Sequence, residues 1–451
     1  MRRFETVTSA ILPTQLLFLY ILCAPLMQPT MPLLGFRAAA ADFLFVMSAL
    51  ALAAFIAIRR AAIVIDRAYA FIAAYFVAML VSAAFADSPL GSAAKLLTQL
   101  YLLGIPLLVC SLVRDERTLR AAILCWIAGS GLVAGVAVVS LLLFAVDPAN
   151  PLLGYTRYHF GTLPPGNYPR LQLTFLNANL ACNYLTVSLA LLLAARKNGW
   201  VARWPFVLLM SGILLAAAVT ISPGLGGIAL ALGLWLWLLW RNRDARIARL
   251  FLVAGALVAF CAVAAMALTP IVHATAPFVI RLPVLDVVLA PSGRLLVWSD
   301  AFRSFAADPV FGRGIGSEAV MVRYADPSGN LQELTDAHNI FLSIAVQCGI
   351  VGLAALVCLI AHVLRRTLPL SLPRSAAAVI RLGAGLGLLN GLVYHGLGGS
   401  FEDARHLWLA FGLLLASDRI EKASQPGTRN SEDRRPRRIY DGRSSQFPDS
   451  Q

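Results

Sequence analysis

Runs of about 20 mostly apolar residues recur along nearly the whole chain of 451 residues. A helix of that length crosses the ~30 Å hydrocarbon core of a bilayer. The composition agrees, because 59% of the residues are hydrophobic and 13% are charged, against about 25% charged in a soluble domain. The sequence therefore predicts an all-α polytopic membrane protein, and it excludes a soluble domain, a disordered chain and a disulfide-rich secreted scaffold.

Twelve transmembrane helices can be placed on these runs. They are expected at 9–27, 39–58, 68–86, 96–113, 121–146, 171–195, 204–221, 225–240, 250–271, 338–364, 376–397 and 406–417. The first run is long and no small-residue cleavage site closely follows it, so we interpret it as an uncleaved span rather than a signal peptide. With this layout 26 of the 37 Lys and Arg residues fall on the side of the N-terminus. Because cytoplasmic loops collect such residues, both termini are predicted to be cytoplasmic, and the net charge of +14 needs no nucleic acid to explain it.

Four regions follow from this layout. Helices 1 to 9 with short loops occupy 1–271, a loop domain with short helices occupies 272–337, and helices 10 to 12 occupy 338–418. The remainder, 419–451, is polar and rich in arginine, and such a segment is expected to be a disordered cytoplasmic tail.

An amphipathic helix is predicted inside the large loop. Trp298, Phe302 and Phe305 are spaced as one face of a helix. Ser292 is expected to cap its start, and Asp308, which precedes a proline, is expected to follow its end.

Five arginines lie on the outward side near predicted span ends or the amphipathic helix: Arg157, Arg170, Arg294, Arg313 and Arg405. Positive charge on this side runs against the topological rule, so each of them needs a reason. A guanidinium group binds phosphate oxygens through paired hydrogen bonds and keeps its charge at neutral pH. Two interpretations stay open at this point: salt bridges to acids of the large loop, or a shared anion site.

His338 lies where the large loop enters the tenth predicted span, with Asn339 beside it. An imidazole changes charge near pH 6.5, which suits a general base, although a lone histidine is more often a structural hydrogen-bonding residue. Polar residues inside spans are costly unless they face a cavity or another helix; here they are Asn177, Asn179, Asn183, Arg381, Asn390 and His395.

Several kinds of chemistry have no support in the sequence. It contains no DxD pair, HExxH helix motif, Walker loop or GxSxG elbow. The seven cysteines lie in apolar stretches and form no CxxC pair, so neither a metal site nor a disulfide framework is indicated. No cofactor and no metal are expected.

Three segments together resemble the O-antigen ligase and polymerase superfamily. They begin Ser292-Gly-Arg-Leu-Leu-Val-Trp, Asp308-Pro-Val-Phe-Gly-Arg-Gly-Ile-Gly-Ser and His338-Asn-Ile-Phe-Leu, the last followed by Gly349-Ile-Val-Gly. The resemblance is strong over 290–360 and weaker at 169–179. The twelve-span layout with one large late loop is similar to that of the ligase branch.

This resemblance implies a metal-independent glycosyltransferase of the GT-C type in the bacterial inner membrane, with its active site facing the periplasm. It would transfer polysaccharide from undecaprenyl diphosphate to lipid A–core. By the same resemblance His338 is the catalytic base, and Arg170 and Arg294 bind the donor diphosphate. The family often carries a further arginine where this chain has Pro223, and Arg157 or Arg313 could replace it. Supporting roles fall to Asn179, Asn339 and Arg405.

Other functions stay open. An O-antigen polymerase and an oligosaccharyltransferase acting on protein differ from the ligase in their acceptor, which the sequence does not reveal. A transporter of an anionic lipid or solute is more remote, because such proteins often contain an internal repeat, and none is visible.

Overall fold

The computed structural model describes most of the membrane-embedded part of the chain. The described residues are 11–33, 36–59, 63–157, 170–220, 280–282, 287–289, 294–318, 320–325, 331–367, 375–394, 396, 399 and 404–424. The statements below refer to these residues.

Helices dominate the described structure. In chain order they are α1 (Ile11–Cys23), α2 (Ala40–Arg59), α3 (Ala68–Ala83), α4 (Pro89–Leu112), α5 (Glu116–Val146), α6 (Leu153–Thr156), α7 (Ala178–Lys197), α8 (Arg203–Ala218), α9 (Arg294–Ala307), α10 (Ile340–Thr367), α11 (Ala376–Leu389) and α12 (Arg405–Ser424). A π-helical turn, Asn390–Tyr394, directly follows α11.

Three short antiparallel hairpins depart from the all-α expectation. They pair β1 (Met31–Leu33) with β2 (Phe36–Ala38), β3 (Ile280–Leu282) with β4 (Val287–Leu289), and β5 (Val322–Ala325) with β6 (Leu331–Leu334). The last two hairpins lie in the large loop, which therefore contains strands as well as the predicted helix. That helix, α9, ends at Ala307, immediately before Asp308, as the sequence predicts.

Six helices among the described residues are long and apolar enough to cross a membrane: Ala40–Ile58, Pro89–Leu112, Glu116–Val146, Ala178–Lys197, Ile340–Thr367 and Ala376–Val393. Shorter apolar helices are Ile11–Cys23, Ala68–Ala83 and Arg203–Ala218. The protein is a multi-pass helical membrane protein. The spans predicted at 225–240 and 250–271 lie outside the described residues.

The centre of the bundle is formed by α7, α11 and α12, which pack against one another and bury most of their side chains. Helix α4 packs on α12, α3 on α10, and α1 on α2. None of the cysteines in the described part of the chain forms a disulfide.

The sixth predicted span starts later than expected. Leu173 has a positive φ of 58°, and the carbonyl of Thr174 accepts hydrogen bonds from the backbone N–H groups of Met27 and Gln28. The chain becomes helical only after Asn177, whose side chain accepts from the N–H of Leu180 at 2.7 Å. An asparagine in this role is a favoured N-cap, so the apolar residues before it form a packed loop.

Helix α10 is sharply bent at Gly349, whereas the sequence predicts a continuous span. This glycine has φ 63° and ψ −164°, which a helix cannot contain. Ile340 lines the same apolar cavity as Leu356 and Leu359, although residues 16 apart in a straight helix are about 24 Å apart. The segments 340–348 and 350–367 are therefore folded against each other.

Opposite the bend, α10 ends in a network of buried ion pairs. Arg366 contacts Asp66, which precedes α3, at 2.5 Å and Asp418 of α12 at 2.9 Å. Arg381 of α11 contacts Glu421 at 2.6 Å. These pairs keep α12 helical to Ser424, six residues beyond the boundary predicted at 418, because they fasten its last turns to α10 and α11. The rest of the predicted tail, 425–451, lies outside the described residues.

Candidate functional site

The side chain of His338 is held by a carboxylate two residues earlier. Its Nδ1 lies 3.2 Å from Oδ2 of Asp336, and its backbone N–H donates to Oδ1 of the same residue at 2.9 Å. About a third of the imidazole surface is exposed. A carboxylate on Nδ1 fixes the ring and leaves Nε2 as the nitrogen that can accept a proton.

The backbone of His338 adopts a left-handed conformation, with φ 49°. A non-glycine residue adopts this region at a cost, and such residues cluster at functional sites. The conformation is supported from both sides. Before it, the indole N–H of Trp298 donates to the carbonyl of Ala337 at 3.0 Å, and after it, Asn339 caps α10 by accepting from the N–H groups of Phe341 and Leu342.

The amphipathic helix α9 packs by its apolar face against the start of α10. Val297 and Ala301 are buried together with Ala337 and Val346, and Trp298 packs against the same cluster. The face predicted from sequence is thus confirmed for Trp298 and Phe305, whereas Phe302 is 63% exposed. Helix α9 holds the segment that carries His338.

Two of the candidate arginines lie on neighbouring backbone segments. Arg157 forms an antiparallel bridge with Leu171, the residue after Arg170. The guanidinium of Arg170 donates to the carbonyl of Thr220 at 3.1 Å and to Oδ1 of Asn179 at 3.3 Å. The structure therefore places the backbone of Arg157 beside the segment that carries Arg170 and Asn179, and we call these three residues the arginine cluster. The guanidinium group of Arg157 itself lies over the ring of Phe144, 5.9 Å from its centroid.

The helix ends place this arginine cluster at the same end of the bundle as the start of α10. At the other end of α7, the side chain of Asn198 donates to the carbonyl of Ala376, where α11 begins, and α11 ends at the π-helical turn. Within that turn the carbonyl of Gly391 accepts from Asn183 of α7, and just beyond it Gly396 lies against Ile340. Residues 390–394 and Gly396 therefore lie between the first turns of α7 and the residues that follow His338.

The remaining candidate arginines have different surroundings. Arg313 is exposed, and its backbone N–H donates to the carbonyl of Val346 in α10 at 2.9 Å. Arg294 is the first residue of α9, and its side chain lies outside the described part of the structure. Arg405 is buried in an ion pair with Asp42 of α2 at 2.9 Å, which agrees with the salt-bridge interpretation, although the acid is on another helix rather than in the large loop.

Most polar residues of the predicted spans contact other helices. Besides the roles of Asn177 and Asn179 above, Asn183 lies 2.8 Å from Nε2 of the buried His406, and Arg381 takes part in the ion pairs with α12. Asn390 is buried in the π-helical turn. His395 lies outside the described residues.

Sequence reasoning missed the contribution of Asp336, which it treated as one of several loop acids available to arginines. Its position two residues before His338 is a usable signal, because an aspartate commonly accepts a hydrogen bond from the backbone two residues later. It also missed Gln347, whose polar side chain lies in an apolar helix.

The described fold defines a multi-pass membrane protein that carries a histidine–carboxylate pair and an arginine cluster at one end of its helix bundle. Residues 205–357 match the family model described as O-antigen ligase. The match confirms the resemblance identified from the motifs, and these residues carry the domain of the O-antigen ligase family. They include Arg294, Arg313, Asp336 and His338 but not the cluster at Arg157 and Arg170. No curated protein matches the chain.

Proposed function

We propose that this protein is an O-antigen ligase that transfers polysaccharide from undecaprenyl diphosphate to a sugar of lipid A–core. The observation that carries the proposal is the His338–Asp336 pair, at 3.2 Å, inside the segment that matches the ligase family. The active site would face the periplasm, with both termini in the cytoplasm and the GT-C type of membrane fold.

In this mechanism His338 acts as the general base. Its Nδ1–H donates to Asp336, and Nε2 takes the proton from the acceptor hydroxyl. The hydroxyl oxygen attacks the anomeric carbon of the donor sugar while the bond from that carbon to the diphosphate oxygen breaks. A single displacement of this kind inverts the configuration at the anomeric carbon.

The arginines would stabilise the leaving group. Negative charge grows on the diphosphate as the bond breaks, and fixed cations aimed at it lower the barrier. Arg157 and Arg170 are adjacent at the His338 end of the bundle, and Arg313 and Arg294 belong to the loop that packs on α10. With this much fixed positive charge a metal ion is not required, so we assign none.

A reconstituted transfer assay tests the proposal. Purified protein is mixed with undecaprenyl-diphosphate-linked polysaccharide and lipid A–core in the presence of a chelator, and the products are separated on a gel. A ladder on lipid A–core is the expected result. Longer donor chains with an unmodified acceptor would indicate a polymerase instead, and an unchanged mixture would reject transfer to this acceptor.

The carboxylate of Asp336 is expected to raise kcat for sugar transfer. Asp336→Asn keeps an oxygen that can accept from the N–H of His338 but removes the negative charge that faces Nδ1 while Nε2 takes the proton of the acceptor hydroxyl. We expect kcat to fall about tenfold to thirtyfold with little change in donor KM, less than for a fully buried triad because both side chains are partly exposed. Glu318→Gln, at an exposed acid of the same loop, is the control, and a kcat for Asp336→Asn within twofold of wild type would reject the pair.

The arginine cluster is expected to act on donor binding. Arg170→Ala and Arg157→Ala should each raise donor KM about tenfold, since each removes charge-assisted hydrogen bonds to a diphosphate. Arg303→Ala is the control for the loss of one positive charge, because Arg303 lies in α9 of the large loop with a side chain that is 83% exposed. Equal donor KM values for Arg170→Ala and Arg303→Ala would remove this cluster from the site.

A further inference from the structure

The bend in α10 leaves backbone groups that a straight helix would pair. In a continuous helix the N–H groups of Ile350 and Val351 would donate to carbonyls four residues earlier. At Gly349 this pattern of hydrogen bonds is interrupted. Ile350 donates instead to the carbonyl of Pro309 at 2.8 Å, and Val351 donates to that of Val310 at 3.4 Å.

The carbonyls released on the other side of the bend are paired in the same way. Val346 accepts from the backbone N–H of Arg313 at 2.9 Å, and Gln347 accepts from that of Gly314 at 3.1 Å. We call residues 308–317 the strap. Its backbone replaces the helical hydrogen bonds that the bend removes, and it joins the large loop directly to α10.

Gln347 is the residue at which the strap and the bundle meet. Its side-chain Oε1 accepts from the N–H of Gly316 at 3.0 Å, and its Nε2 donates to Oγ of Ser343 at 3.0 Å. Its carbonyl also accepts from Oγ of Ser82, at the end of α3, at 2.6 Å. The side chain is buried, so its replacement by an apolar group would leave the N–H of Gly316 without this acceptor.

The strap has no room to shift along α10. Gly312 has φ +71°, and a Cβ on it would lie 2.5 Å from the carbonyl carbon of Gln347. On the far side the hydroxyl of Ser92 in α4 donates to the carbonyl of Ile315 at 2.5 Å. The backbone of Arg313 is therefore fixed between α10 and the ends of α3 and α4.

The same short helical segment thus carries two candidate groups. His338 precedes its first residue, Ile340, and Arg313 is bonded to Val346, six residues or about 9 Å further along the axis. We propose that Gln347 is a positioning residue, which holds the strap on α10 and so fixes Arg313 relative to His338. The inference rests on the proposed function, in which Arg313 contacts the donor diphosphate.

A double-mutant cycle separates positioning from general loss of stability. We expect Arg313→Ala to raise donor KM about tenfold in the otherwise wild-type protein and less than twofold in Gln347→Leu, where Arg313 is already misplaced. Gln347→Glu keeps the acceptor for Gly316 and should restore most of the dependence on Arg313. A loss of folded protein would lower the apparent kcat of the variant concerned and would leave its donor KM unchanged.

A distance measurement tests the same inference without turnover. Cys23, Cys125 and Cys358, which have exposed surface, are first replaced by Ser. Spin labels are then placed on Arg313→Cys and Thr335→Cys, and the interlabel distance is recorded in detergent. We expect a narrow distribution of interlabel distances in the protein that keeps Gln347 and a broad distribution in the Gln347→Leu variant.

The outcomes are distinguishable. If the wild-type protein transfers no sugar, the proposed function fails, and the distance distributions still decide whether Gln347 fixes the strap. If the wild type is active but Arg313→Ala raises donor KM equally with Gln347 and with Leu, or if both distributions are equally narrow, the positioning role of Gln347 is wrong.

Discussion

His338→Gln is expected to lower kcat for sugar transfer about 1,000-fold, within the 10²–10⁴ range typical of a lost general base. Glutamine can hydrogen-bond to the acceptor hydroxyl but cannot take its proton. Because the proposed diphosphate ligands are unchanged, donor binding should stay within twofold of wild type. The measurement is single-turnover transfer with saturating donor, together with a separate donor-binding titration.

A second variant tests whether the loss of activity comes from the missing base or from a disturbed backbone turn at His338. His338 has φ 49°, a region that asparagine tolerates better than most residues, so His338→Asn should keep the turn while removing the base. Both variants should be equally inactive and should elute as folded protein in detergent. Activity within tenfold of wild type in either folded variant would exclude His338 as the base.

The membrane helices were accessible from sequence because long apolar runs have few alternatives in a bilayer. The bend at Gly349 cannot be predicted in this way, because the residues before and after it are equally apolar. What makes the bend possible is the strap, whose backbone lies far from Gly349 in the chain. The pattern of apolar residues contains no information about such a contact.

The sequence indicates the arginines of the candidate site but not their partners, for a similar reason. The backbone of Arg157 lies beside the Arg170 segment through a bridge at Leu171, whereas the sequence indicates each arginine only by its charge, its place near a span end or a family motif. The same signals indicate Arg405, yet its side chain pairs with Asp42, which is distant in sequence. Charge on the wrong side of a membrane indicates that a residue has a partner, but the fold decides whether the partner is a ligand or an acid.

Arg365 and Arg366 show most clearly what cannot be predicted from the charges in a sequence. Counting charges treats both as equal markers of a cytoplasmic loop. Arg365 is exposed, whereas Arg366 donates to Nε2 of His362 at 2.9 Å and bridges Asp66 and Asp418. Neighbouring positions on a helix point about 100° apart, so the direction in which each one faces depends on the helices around it.

Arg366→Met is therefore expected to destabilise the protein by about 3 kcal/mol, at the lower end of the cost of leaving buried charge without its partner. Asp66 would lose its guanidinium partner altogether. Asp418 would keep Lys422, whose Nζ lies 2.8 Å away, and this remaining contact limits the loss. The free energy of unfolding, measured by denaturant titration of the protein in mild detergent, gives the value.

The neighbouring residue supplies the control for this prediction. Arg365→Met removes the same charge and adds the same side chain one position away, and it should change the free energy of unfolding by less than about 0.5 kcal/mol, as an exposed substitution does. Arg366→Lys should recover part of the loss, because an ammonium can contact either carboxylate but cannot present the planar fork that bridges them. If Arg365→Met and Arg366→Met were equally destabilising, the effect would come from charge density at this end of α10, and the bridge between α3, α10 and α12 would contribute nothing to stability.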